Sequence, residues 1–300
     1  MATLITPTTI ARSALATLYN TTLLAALVHR DYDSAFAGKV GDTVNVRVPA
    51  TFTAEVFNRA DGITLQDPTE SSVPVVLDTI LDVSFPVTTE ELTLELDDFE
   101  TRLLTPAMEA IVQDVDGRLA EKLIDAANDT GGGGVASGTS NPKDAFLTAR
   151  ARLSRAKMPL ANRYALLSPE ATSDALTEDL FVRADASGST QALREAQLGR
   201  IFGFDTYESQ VLGYGPNDRG QADGVAFHRD AVALVTRTLE RPMGVAQNQV
   251  AIESYKGLGL RVVYAYDVDK KQDVISVDFL MGTKALRNAG AVELDFGQGS

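Results

Sequence analysis

Hydrophobic and polar positions change period several times along this chain, and each change marks an element. Ile10, Ala14, Leu15, Leu18 and Thr22 recur at helical spacing, with Thr6 placed to cap the helix and Pro7 suited to its first position. The opening residues therefore read as an arm carrying an amphipathic helix. Its apolar stripe must be covered either by the chain's own domain or by a neighbour or assembly factor. From residue 39 the period falls to two. Val44, Val46 and Val48 alternate with polar residues, and Pro49 interrupts them. Phe52 to Phe57 and Ile63 to Leu65 flank Asn58-Arg59-Ala60-Asp61-Gly62, a turn-rich link suited to a hairpin tip. Val73, Val75, Leu77, Thr79, Leu81, Val83, Phe85 and Val87 then all fall on odd positions, with Val76 and Ile80 as apolar exceptions opposite. This predicts a strand with one buried face. The run exceeds the usual ~5–6 residues, so it should bend or leave its domain. Pro74 and Pro86 argue for an edge position or for strand ends.

Residues 98–128 switch to helix, with Leu104, Met108, Ile111, Val115, Leu119 and Leu123 on one stripe. Pro106 breaks or kinks the first turn. Gly117 weakens the helix by roughly 1 kcal/mol relative to Ala. The helix should stop near Asn128, before Gly131-Gly132-Gly133-Gly134. That tract and the following Val135 to Ser140 predict a flexible loop and a domain boundary. Asn141-Pro142 restarts a helix, which runs to about Lys157. Tyr164 to Leu167 reads as a short buried strand, and Ser168-Pro169-Glu170 caps the next helix. This alternation predicts a compact α/β piece ending near residue 255. Beyond it, Gly257 to Asp267 and Asp273 to Met281 read as paired strands joined through Val268 to Gln272. No internal repeat has a fixed period.

Composition narrows the function classes. At 300 residues, 44% hydrophobic and 23% charged, the chain is an ordinary globular protein of one large domain or two moderate ones. With no cysteine, disulfides, thiolate zinc sites and Cys nucleophiles are excluded. No run of ~20 apolar residues spans a membrane. The N-terminus lacks a basic segment followed by an unbroken apolar one, so synthesis in the cytoplasm is expected. A net charge of -14 excludes a generic DNA-coating protein. The charge is also segregated. Eleven carboxylates and no Lys or Arg lie between Asp61 and Glu100: Asp61, Asp67, Glu70, Asp78, Asp82, Glu90, Glu91, Glu95, Asp97, Asp98 and Glu100. Lys143, Arg150, Arg152, Arg155, Lys157 and Arg163 follow, with Asp144 the one acid among them. Either these are two solvated faces or they are complementary surfaces on neighbouring subunits.

Motifs for chemistry are missing. The glycine tract follows a helix rather than a strand, and neither it nor Gly257-Leu258-Gly259 completes GxGxxG; GxxxxGK[ST] and GxSxG do not occur. His29 and His228 stand far apart, outside any metal-ligand spacing, and read as structural. Glu90, Glu91 and Glu95 could hold a divalent cation. Without EF-hand spacing, a solvated or partner-facing acidic segment is the better reading. No catalytic, metal or cofactor-binding residue is assigned, and no cofactor is expected.

The order of elements is arm helix, long two-stranded excursion, kinked long helix, glycine-rich link, α/β insert and return to long strands. It resembles the HK97-like fold of tailed-phage capsid proteins. Four stretches are similar to the P22 coat-protein branch: LDDFETRLLTPAMEAIVQDVDGRLAEKLI (96–124), NRYALLSPEATSDAL (162–176), GRIFGFDTYESQVL (199–212) and LRVVYAYDVDKKQDVISVDFLMG (260–282). The ordered set, covering nearly the whole chain, carries the resemblance. One departure is that the P22 coat protein has an extra inserted domain, for which this chain is too short. The resemblance implies an α+β fold with an N-terminal arm (1–38), an extended β-loop (39–88), a peripheral domain with a spine helix (89–140 and 256–300) and an axial domain (141–255). It implies a major capsid protein, not an enzyme, that self-assembles as hexamers and pentamers into an icosahedral head around double-stranded DNA. Assembly would occur in the host cytoplasm and the product would reside in the virion. Expected partners are further copies of the chain, a separate scaffolding protein, a portal and a decoration protein. The DNA would be held without sequence-specific binding, and no membrane is involved. Candidate inter-subunit contacts are Asp61, Asp67, Glu70, Glu90 and Glu91 against Arg150, Arg152, Arg155 and Lys157. The rival readings are another virion component, such as a tube or decoration protein, and a cation-dependent enzyme.

Overall fold

A computed structural model describes residues 6–30, 40–48, 54, 56–57, 59, 62–63, 71–87, 100–129, 131–137, 141–177, 199–213, 221–255, 257–267 and 272–297. Helix α1 (Pro7–Thr21) starts as its cap predicts: the Thr9 amide donates to Thr6 Oγ1 at 3.3 Å, and the Thr6 amide donates to Thr9 Oγ1 at 3.0 Å. A single turn, α2 (Leu24–Leu27), follows. Strands β1 (Thr43–Val48) and β2 (Ser71–Val76) pair with each other, and β3 (Thr79–Val87) comes next. A π-helical turn, Glu100–Leu104, leads into the longest helix, α3 (Thr105–Asn128). Pro106 lacks the amide that a continuous α-helix would direct back to residue 102, so the regular ladder begins only beside it. The predicted stripe from Leu104 to Leu123 is buried throughout.

Two larger sheets flank α3. One runs β10 (Val250–Tyr255), β11 (Leu258–Asp267), β12 (Gln272–Ala285), β3, with β9 (Val232–Arg237) also paired to β12. The α1 residues Ile10, Ala11, Ala14, Leu15 and Leu18 are buried between α3 and this sheet, so the chain itself covers the arm's apolar stripe. Arg12 Nε reaches Glu253 Oε1 at 3.3 Å, and Tyr19 meets Tyr255 edge-on at 5.3 Å.

The long alternating run is two strands rather than one. Val75, Leu77, Leu81 and Val87 stay buried across the break, yet β2 pairs β1 while β3 pairs β12. Leu77 makes the turn. Its carbonyl accepts from the Gly41 amide at 2.7 Å and its amide donates to Asp42 O at 2.9 Å. Below the turn passes Gly282 of β12, where an added Cβ would lie 2.2 Å from the Val76 carbonyl oxygen. Pro86 sits in β3, the outermost strand of its sheet, and Pro74 in a two-stranded ribbon, as their missing amides require.

The second sheet has the order β4 (Val135–Ser137), β13 (Ala291–Asp295), β8 (Gly224–His228), β5 (Arg163–Leu167), β7 (Phe204–Glu208), β6 (Arg200–Ile201). Alternate residues face opposite layers: Leu166, Val225, Phe227 and Ala291 join the α3 core. Ala165, Leu167, Ala226 and Val292 pack with α4 (Pro142–Arg155) and α5 (Pro169–Thr177). Asn141 and Ser168 cap these two helices as expected, receiving the Lys143 amide at 3.0 Å and the Ala171 amide at 3.1 Å. Strands β9 and β10 lie in the first sheet and β13 lies in the second.

The glycine tract is not a loose linker. The Gly133 amide donates to Ala291 O at 3.0 Å and the Gly134 amide to Ala127 O at 2.8 Å, and Val135–Ser137 continues as β4, parallel to β13. A Cβ on Gly133 would stand 2.3 Å from Val292 Cγ2. Here glycine serves close approach between α3 and the second sheet. Among the described residues, no helix is long and apolar enough to cross a membrane.

Candidate assembly surfaces

The basic segment folds as α4 and the loop that follows it. Arg150, Arg155 and Lys157 are exposed, and Lys157 adopts φ 57°. Arg152 instead has a structural role. Its Nη1 donates to Gly133 O at 2.7 Å and fastens α4 to the glycine tract. The next cation in sequence, Arg163, is only 2% exposed. It donates to Pro159 O at 2.8 Å, Met158 O at 2.8 Å and Ser154 Oγ at 3.3 Å. Burial, reinforced by the charge of Arg150, lowers its pKa. This guanidinium gathers the inner carbonyls of loop 156–162, which presents Lys157 and Leu160 outward beside Arg155.

The proposed acidic partners Asp61, Asp67, Glu70, Glu90 and Glu91 lie outside the described residues, as do Glu95 and the cation reading built on it. Asp78 and Asp82 of the same stretch have described side chains. Asp78 is exposed and accepts from Thr79 Oγ1 at 2.9 Å. Asp82 accepts from Ser276 Oγ at 2.7 Å and lies opposite Asp278 in the β3–β12 register. Asp278 in turn lies opposite Arg261, whose Nε donates to it at 2.8 Å. Burial raises the pKa of Asp278, Arg261 opposes that shift, and Asp82 adds to it. The result is a polar ladder across three strands, with Arg261 paired to Asp278 and Asp82 on the far side of that carboxylate. Among the described residues, no group of three His, Asp or Glu side chains converges as a metal site. A groove at the C-terminal end of α3 is lined by Lys122, Asp125, Asp129 and Asn288. These groups engage one another, Lys122 with Asp125 at 2.8 Å and Asn288 with Asp129 at 2.8 Å.

Apolar side chains stand uncovered on the excursion between β1 and β2. Val56 is 97%, Ile63 79% and Phe57 67% exposed. No family model and no curated protein matches the sequence. Solved structures do match. A chain of Mycobacterium phage Che8 aligns with a TM-score of 0.63 at 21% identity, covering 92% of both chains. The capsid structure of the cyanophage P-SCSP1u gives 0.61 at 14% identity over 92% of this chain and 88% of that one. A virus-like particle from Pyrococcus furiosus gives 0.52 at 12% identity over 96% and 98%. The chain has the HK97-like capsid fold.

Within this HK97-like fold, two polar centres escaped the sequence reading. His29 and His228, far apart in sequence, converge on Asp230: His29 Nδ1 lies 3.0 Å from Asp230 Oδ1, and His228 Nδ1 accepts the Asp230 amide at 3.2 Å. Burial lowers the pKa of His228, consistent with the structural role expected of it. The other is Asp116 on α3, 7% exposed. It shares the buried face with Val112 and Ala120, four residues either side. A carboxylate on an apolar helical stripe was the available signal.

Proposed function

We propose that this chain is the major capsid protein of a tailed phage. In this reading it self-assembles as hexamers and pentamers into an icosahedral head that encloses double-stranded DNA. The supporting observation is the HK97-like fold over nine-tenths of the chain, joined to an excursion whose apolar side chains the chain's own body leaves uncovered. Such side chains on a soluble subunit mark a contact surface. Residues 1–38, 39–88, 89–140 with 256–300, and 141–255 then serve as arm, extended loop, peripheral domain and axial domain. The acidic stretch supplies Asp61, Asp67, Glu70, Glu90 and Glu91 to a neighbour's Arg150, Arg155 and Lys157. The four resembling stretches favour the P22-like branch. A scaffolding protein, a portal and a decoration protein are the expected partners, and the product resides in the virion after assembly in the host cytoplasm. No catalytic step enters.

The test is to express the chain with and without a co-expressed phage scaffolding protein, then combine light scattering with electron microscopy of the same fraction. Closed megadalton shells, or ring-like capsomers that feed into them, are expected. A small oligomer that assembles under neither condition overturns the reading. DNA as the content needs its own measurement, nuclease-protected DNA in particles from infected cells, because the fold also occurs in a virus-like particle.

A further inference from the structure

The arm is joined to the body at residues 22–30, directly after α1. Leu24, Ala25 and Leu27 are buried there, and His29 enters β9 by donating its amide to Val232 O at 3.1 Å and accepting from the Leu234 amide at 3.0 Å. At this joint the free amides of α2 meet a side chain rather than water. The Leu23 amide donates to Asp116 Oδ2 at 3.2 Å and the Leu24 amide to Asp116 Oδ1 at 3.1 Å. We infer that Asp116 and the amides of residues 23–25 form a proton-sensitive latch that holds the arm's joint against the long helix. The contacts lie within one chain, so the inference goes beyond the shell reading and stands without it.

Burial of Asp116 outweighs the three backbone amides and raises its pKa from 3.8 to about 6. The other charged groups of the elements around it are engaged elsewhere. Arg118 pairs with Asp114 at 2.8 Å, Lys122 with Asp125 at 2.8 Å and Arg12 with Glu253 at 3.3 Å. Arg30 Nη1 donates to Ala25 O at 3.3 Å, and His29 faces Asp230 at 3.0 Å. Glu109 and Glu121 are exposed on α3. Opening the joint hydrates Asp116 and returns it to the ordinary carboxyl range. The latched state therefore binds the proton more tightly than the open one. The gain is complete below the open-state value of 3.8, falls away as pH rises through about 6, and is absent above it. Acid tightens this joint, the reverse of the usual carboxylate.

The measurement is amide hydrogen exchange of Leu23, Leu24 and Ala25 in the unassembled full chain, corrected for intrinsic exchange. Protection should rise about tenfold from pH 7 to pH 5 in the wild type and stay flat in Asp116→Asn. A flat wild-type profile overturns the latch. So does an equal slope in the variant. Should Asp116→Asn not fold, the Asp116 carboxyl carbon is titrated in the wild type. A midpoint near 6 supports the latch, and one near 3.8 overturns it.

Discussion

Arg163 is a cation held by neutral acceptors. Its guanidinium is buried and meets the carbonyls of Met158 and Pro159 and the Ser154 hydroxyl. Burial, with the charge of Arg150 beside it, lowers its pKa, and neutral acceptors offset that less than a carboxylate would. The return is geometric: several inward-facing acceptors of one loop are satisfied by a single planar donor. Replacing Arg163 with Leu would strand those carbonyls at ~1–3 kcal/mol each. Arg163→Leu should therefore lower stability by about 3 kcal/mol, measured as the shift in urea midpoint at constant slope. Arg163→Lys, a point donor unable to span both carbonyls, should recover about half of that. An Arg163→Leu midpoint equal to wild type would show that the loop does not depend on this side chain. In sequence Arg163 reads only as one more member of a basic cluster, because nothing local separates a guanidinium that turns inward from one that points to solvent.

At the scale of elements, legibility follows the range of the interaction that decides the structure. Helices α1, α3 and α4 were readable from cap, proline and stripe, all of which act within a few residues. A bend somewhere in the long alternating run was readable from its length, but its position at Leu77 was not. The alternation survives it intact, and the cause lies in Gly282, some two hundred residues on, whose missing Cβ admits the turn. The glycine tract failed for a related reason, since glycine signals freedom and close approach with the same letter. Substitution separates the two. Gly133→Ala places a methyl against Val292 Cγ2 and the Ala291 carbonyl and should destabilise by roughly 1–3 kcal/mol through overpacking. A flexible tether would tolerate it. Gly131→Ala has open space around its Cβ but φ +88°, so it should cost only about 1 kcal/mol of backbone strain. Thermal denaturation of the pair checks the order; equal shifts would deny Gly133 its packing role.

At the scale of the molecule, the order of elements disclosed the fold, because the HK97-like arrangement is set by sequence-ordered periods more than by any motif. Of the candidate contact residues, the basic ones lie within the described residues. Arg152 belonged by charge to the basic surface, yet its guanidinium is committed to Gly133. Its reversal would confound assembly with folding. Arg155 and Lys157, exposed beside the loop that Arg163 braces, provide the cleaner test. An exposed attraction between a neighbour's acidic stretch and these cations is screened beyond ~10 Å at 0.1 M salt. Wild-type assembly should therefore weaken as salt rises. The double variant Arg155→Glu and Lys157→Glu should cut particle yield by about tenfold at low salt, a loss on the order of 1.4 kcal/mol per contact. The monomer's melting temperature should stay put, since surface changes away from packed groups shift stability by within about 0.5 kcal/mol. Particle yield in the two salts, read by sedimentation beside the melting curve, decides it. Undiminished yield removes these cations from the proposed interface and turns the test to the exposed Val56, Phe57 and Ile63.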